Sequence, residues 1–265
     1  LDKNRDGKID SITVIYKNTT QNIVINRSDP LWNYKDYADY VEINLGDGRM
    51  LQSQYYVQVI NNYSTLYMAN NDQKPIVSLK SPIHEMGHIF GLLDLYNSSG
   101  QTPVYFMSAM ANAISPVPQG LSIKEKEALG WTDDSTLKTI TEPGEYKVNL
   151  SGTATGTDDC IGYKAGIPEL NRTLYLEYRN FSTDGSKYDK SEKQLTNSET
   201  SNIKSGLVCY LAQPDIRFPS NLNGKPGNWA LEVMGGTQST KSDAALGLND
   251  SLQVTDKLKV TVTAI

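Results

Sequence analysis

The sequence predicts an α+β chain in two parts: a mixed helix-and-strand domain over residues 1–135, then a mostly antiparallel β-sandwich over 136–265. Two observations carry this. The first half holds several β-branched runs and one convincing helix, SPIHEMGHIFGLL. Near residue 135 the texture changes to short alternating runs separated by turn clusters, the pattern of a sandwich.

In chain order, SITVIY alternates and reads as a strand, and NIVIN at 22–26 is a second short candidate. DPLWNYKDYADYVEINLGDGRML reads as an aromatic loop, and YYVQVI as the next strand. In SPIHEMGHIFGLL, Ser81 suits the N-cap, and Pro82 the first helical position, where its missing N–H costs nothing. A loop rich in glycine and proline follows. LSIKEKEALGW then places Leu121, Ile123, Ala128 and Leu129 at helical spacing, with Gly130 to close the helix. Beyond residue 135, YKVNL, TLYLEYR, GLVCYL, WALEVM and KLKVTVTAI read as strands. The polar stretch STDGSKYDKSEKQLTNSETSNIKS reads as an exposed loop.

The net charge is −5 and the cations are scattered without a basic stripe, which argues against nucleic acid as a partner. No segment approaches the uninterrupted apolar run that spans a bilayer. The chain opens at LDKNRDGKID, already inside a motif, as expected of a piece cut from a longer precursor. The lack of a leader therefore says nothing about its native address. Cys160 and Cys209 are the only cysteines, and they form either one disulfide, if the chain is exported, or two buried thiols.

His84 and His88 are the only histidines, and their spacing stacks them one turn apart on one helix face. Two imidazoles can then converge on one zinc ion at about 2.0–2.1 Å each. Glu85, between them, has the position of a general base that takes a proton from the attacking water without ligating the metal. A third ligand is needed. On a continuing helix Asp94 would lie about 240° round and roughly 9 Å beyond His88, facing away. A chain reversal at Gly91 removes that difficulty, because glycine tolerates the positive φ that ends helices. The alternative third ligand is a later glutamate, Glu125 or Glu127, from an amphipathic and apparently solvated helix. That choice leaves the Gly91–Asp94 spacing unexplained.

The extended pattern HExxHxxGxxD resembles the metzincin arrangement with aspartate as third ligand. More closely, the chain resembles the immune inhibitor A and gametolysin-like branch of secreted metallopeptidases. The likeness includes DKNRDGKIDSITVIY, DPLWNY, FMSAM, LSIKEKEALGW and TEPGEYKVNL, so it covers residues 1 to about 150, and the β domain only loosely. The resemblance implies a metzincin-like zinc metallopeptidase domain with His84, His88 and Asp94 as ligands and Glu85 as general base. It implies Met107 as the methionine of a Met-turn packed beneath the metal. Tyr96 matches a tyrosine frequent in the family, which either donates to Asp94 or the developing oxyanion, or simply packs. Leu95 and Asn97 stand where relatives often carry acids. The expected activity is that of a secreted or cell-surface zinc endopeptidase acting on protein or peptide substrates, glycoproteins and cell-surface targets among them. The competing expectation is an adhesion or glycan-binding module on a retained peptidase fold, with aromatic platforms in YKDYADY and NWALEV.

The opening LDKNRDGKID sets oxygen donors at Asp2, Asn4, Asp6 and Asp10, a sharp turn at Gly7 and a carbonyl at Lys8. These match the first nine positions of an EF-hand-like loop, which suits a structural calcium. Thr13 stands where the bidentate acid of such a loop belongs; the other reading is an Asx-rich turn without metal.

Overall fold

The computed structural model describes residues 8–9, 12–16, 34–44, 50–60, 80–96, 102–111, 120–149, 160–180, 204–214, 229–237 and 241–265. Asp2, Asn4, Asp6, Asp10, the NIVIN run, Trp32 and most of the polar stretch after residue 180 lie outside them. The chain forms two compact units, Leu1–Gly91 and Leu92–Ile265.

In the first unit the strands are β1 (Lys8–Ile9), β2 (Ile12–Tyr16), β3 (Tyr34–Asn44) and β4 (Met50–Ile60), followed by helix α1 (Lys80–Ile89). β4 is central. β1 and β2 run parallel to it on one side, with Lys8 opposite Gln52 and Thr13 opposite Val57. β3 pairs antiparallel with β4, from Tyr34 opposite Gln58 to Asn44 opposite Met50. The aromatic stretch expected to be a loop is thus an 11-residue strand. Its tyrosines and Val41 favour a pleated surface. The register shifts between Tyr37 and Val41, which breaks the two-residue alternation by which a strand is recognised. Helix α1 packs beside β3 and β4 and begins at Lys80, so Ser81 lies within its first turn instead of capping it.

The second unit opens with a 3-10 turn at Tyr105–Met107 and helix α2 (Ile123–Ala128). Seven strands follow: β5 (Leu137–Thr139), β6 (Gly162–Ile167), β7 (Arg172–Arg179), β8 (Gly206–Ala212), β9 (Leu231–Val233), β10 (Ser251–Thr255) and β11 (Leu258–Thr261). β5 to β9 form one sheet in sequence order, antiparallel except for the parallel β5–β6 pair, and β10–β11 form a separate antiparallel hairpin. Both faces of the sheet are covered. Tyr175, Val208, Tyr210 and Leu231 share a core with Met107, Met110 and Ile123. Leu174, Leu176, Cys209 and Leu211 share another with Leu252, Val254, Leu258 and Val260 of the hairpin. The architecture is α+β with a mostly antiparallel sheet, as expected at that level. One sheet face carries a helix and a turn.

Helix α2 has a complete capping box. Ser122 Oγ accepts from the Glu125 backbone N–H, and the Ser122 N–H donates to Glu125 Oε2 at 2.7 Å. The helix closes at Gly130, where φ is +69°. Ile123 is fully buried, which contributes about 1.5–3 kcal/mol. It seats on β6 at Gly162, where an added Cβ would lie 2.9 Å from Ile123 Cγ1 and from the Leu176 carbonyl oxygen. YKVNL, expected as a strand, forms no ladder among the described residues; Asn149 N–H donates to the Cys160 carbonyl at 2.8 Å. Cys160 and Cys209 are buried free thiols, and Cys160 Sγ donates to the Gly162 carbonyl, so the disulfide expectation gives way to its alternative. No helix among the described residues is long and apolar enough to cross a membrane.

Candidate metal centre

His84 and His88 lie on α1 with ring centroids 4.9 Å apart and planes at 87°. His84 is buried, and His88 and Asp94 are half-buried. Helical order ends at Ile89. Phe90 N–H still donates to the Met86 carbonyl at 3.1 Å, and Gly91 N–H turns back to the His88 carbonyl at 2.9 Å. Gly91 has φ +93°, the positive value its position requires. The chain then reverses, and Asp94 joins the two histidines: one ligand atom from each lies within 4.8 Å of the other two. It is the one His/Cys/Asp/Glu group of three or more found among the described residues.

The donor set fits a metal ion. A tetrahedral ion about 2.1 Å from each donor sets donor separations near ~3.4 Å, so closure asks for an inward shift of at most about 1.4 Å. Oδ1 of Asp94 is buried and accepts no hydrogen bond from the described residues, although the residue itself is engaged.

The segment around Asp94 is fixed by its neighbours. Leu92 and Leu95 are 3% and 2% exposed and belong to the core that contains Met107 and Met110. Burial of Leu95 accounts for the apolar residue at this position. Leu95 N–H donates to the Met110 carbonyl at 2.9 Å, and Thr102 Oγ1 donates to the Leu95 carbonyl at 2.9 Å. Met107 is 1% exposed in the 3-10 turn, where Tyr105 holds a φ of +37°. Glu85 follows His84 within α1, and Tyr96 is half-buried two residues after Asp94.

The two alternative ligands have other partners. Glu125 is 1% exposed, contrary to the expected solvated position. Its Oε1 accepts from Ser108 Oγ at 2.6 Å and its Oε2 from the Ser122 hydroxyl at 2.6 Å. Burial raises its pKa above the usual carboxylate range, against the pull of these donors. Glu127 accepts from Lys124, Lys164 and Tyr175. Neither belongs to the His84–His88–Asp94 group.

Sequence reasoning missed a second buried polar cluster. On β7, Glu177 is fully buried and Arg179 is 3% exposed. Tyr210 Oη donates to Glu177 Oε1 at 2.5 Å, and Arg179 Nη1 lies 3.9 Å from that oxygen. Burial first, and then the Glu177 charge, push the Tyr210 phenol well up. Arg179 Nη1 also donates to the Met107 carbonyl at 2.6 Å. The available signal was spacing: Glu177 and Arg179, two apart on a strand, share one face in a run that is otherwise Leu and Tyr from Leu174 onward.

The fold and the donor triad stand without support from known proteins: no family model, curated protein or solved structure matches this chain.

Proposed function

We propose that this chain is a zinc-dependent endopeptidase, secreted or displayed at a cell surface, of the immune inhibitor A and gametolysin-like kind. The observation that carries the reading is the approach of His84, His88 and Asp94 to within 4.8 Å across the reversal at Gly91. A bound zinc supplies Lewis acidity and brings the pKa of water down to about 7. Two neutral imidazoles and one carboxylate hold the ion and leave the centre a formal charge of about +1, less than three histidines would leave. Glu85 accepts the proton of the water that attacks the peptide carbonyl and passes it to the departing amine. Tyr96, two residues after Asp94, either orients that carboxylate or the developing oxyanion, or simply packs. The substrate is a protein or peptide, glycoproteins and cell-surface proteins included. The proposal extends to a structural calcium at Asp2, Asn4, Asp6, Asp10 and the Lys8 carbonyl.

Trp229 of NWALEV is 7% exposed, a core residue, which argues against it as a sugar platform; the side chains of YKDYADY lie outside the described residues. Casein cleavage by wild type and Glu85→Gln tests the enzyme. Loss of the general base lowers the rate about 10²- to 10⁴-fold with zinc retained. Cleavage by Glu85→Gln at the native rate overturns the mechanism, and a zinc-loaded wild type inert on protein substrates overturns the function.

A further inference from the structure

The C-terminal sheet does more than follow the segment that carries Asp94 in sequence, because its buried Arg179 donates into the Met107–Met110 turn, whose last carbonyl accepts the Leu95 N–H. Arg179 Nη1 grips the Met107 carbonyl at 2.6 Å. The next residue, Ser108, donates its hydroxyl to Glu125 at 2.6 Å and accepts from the Met110 N–H at 2.9 Å. Met110 in turn accepts the Leu95 N–H at 2.9 Å, one residue from Asp94. Each group in this relay is buried. Water cannot replace a bond lost there, and a broken bond leaves a buried polar atom unsatisfied.

Glu177 explains how a full positive charge is tolerated in the core. It shares a strand face with Arg179, lies 3.9 Å from its Nη1, and is held in place by the Tyr210 hydroxyl. A buried ion pair is weak evidence for stability, since its desolvation offsets most of the Coulomb attraction. What Arg179 adds is a directed donor to one carbonyl of the turn.

We propose that Arg179, with Ser108 as its intermediary, is a positioning residue for the metal centre: it fixes the Met107–Met110 turn and through it the backbone that carries the Asp94 ligand. The inference rests on the zinc reading above. Arg179 acts on the geometry of one ligand and touches neither ion nor substrate. Groups that orient a ligand in this way typically set metal affinity.

Zinc affinity, measured by chelator competition on the full chain, tests this in a double-mutant cycle. Arg179→Lys keeps the positive charge beside Glu177 and removes the planar fork that reaches Met107. It weakens zinc binding about 10- to 100-fold when Asp94 is present. In the Asp94→Ala background, where no carboxylate remains to be positioned, the same substitution changes affinity less than about twofold. Ser108→Ala, a milder change in the same relay, follows the same pattern and serves if Arg179→Lys fails to fold. Arg172→Met breaks the ion pair with Glu232 at the other end of β7 and leaves zinc affinity unchanged, which separates positioning from loss of stability. A folded Arg179→Lys or Ser108→Ala that binds zinc as tightly as wild type overturns the inference alone, as does an equal loss in both Asp94 backgrounds. A wild type that binds no zinc overturns the metal reading and this inference with it.

Discussion

Replacing Gly91 with alanine probes the turn on which the donor triad depends. Gly91 holds φ +93°, and among the described residues nothing lies within 4 Å of the place an added Cβ would occupy. The methyl group meets none of them, so the cost is confined to backbone torsion. For an L-residue in the left-handed region this is about 1–2 kcal/mol. Where it shows depends on the metal-free chain. If that chain keeps the turn, unfolding free energy falls and zinc affinity stays. If it relaxes, stability is preserved and zinc affinity drops about 5- to 30-fold, at roughly 1.4 kcal/mol per factor of ten. The sum of the two losses is the same in either case. Denaturant unfolding of the metal-free protein together with chelator competition measures that sum. Gly91→Asn loses less, because asparagine visits this region more readily than alanine. A summed loss near zero for alanine refutes the reversal. A loss above about 4 kcal/mol refutes the claim that the site is sterically open, since torsion alone does not reach that size.

Two further outcomes follow from groups away from the triad. Partial burial opposes ionisation of Glu127, yet the donors Lys124, Lys164 and Tyr175 prevail and hold its carboxyl down to about 2 from 4.5. A depressed carboxylate stabilises the fold above its unfolded pKa and loses that contribution as pH falls through the folded value. In a half-buried group screened by solvent the contribution is ~1 kcal/mol, so the gap in unfolding free energy between wild type and Glu127→Gln closes from pH 4.5 to 2; a constant gap contradicts the assignment. Burial pushes the Cys209 thiol up to about 12, so thiol reagents at neutral pH leave it unmodified in the native protein. In denaturant without reductant both cysteines titrate, and a count of zero would mean a disulfide.

The His84–His88–Asp94 group was readable because its determinants are local. The spacing of His84 and His88 is a property of the helix, and Gly91 announces the reversal that brings Asp94 round. The closing of α2 at Gly130 was legible for the same reason, whereas the burial of Glu125 was not. A glutamate three residues after a serine signals a capping box, but only the packing of Ile123 on Gly162 puts that box in the core. The β3 strand escaped because its register shift interrupts the alternation. The β6 strand escaped because Gly162 and Gly166 dilute the β-branched pattern by which strands are found. The contact between Arg179 and Met107 joins residues 72 apart and has no local signature. Whatever depends on sheet pairing or on a charge crossing the core lies beyond what neighbouring letters encode.

Zinc content after dialysis against a weak chelator tests the central claim most directly. Wild type and Glu127→Gln are predicted to retain one zinc per chain, and Asp94→Ala to lose it. Retention of zinc by Asp94→Ala as tight as in wild type would contradict the aspartate-completed site.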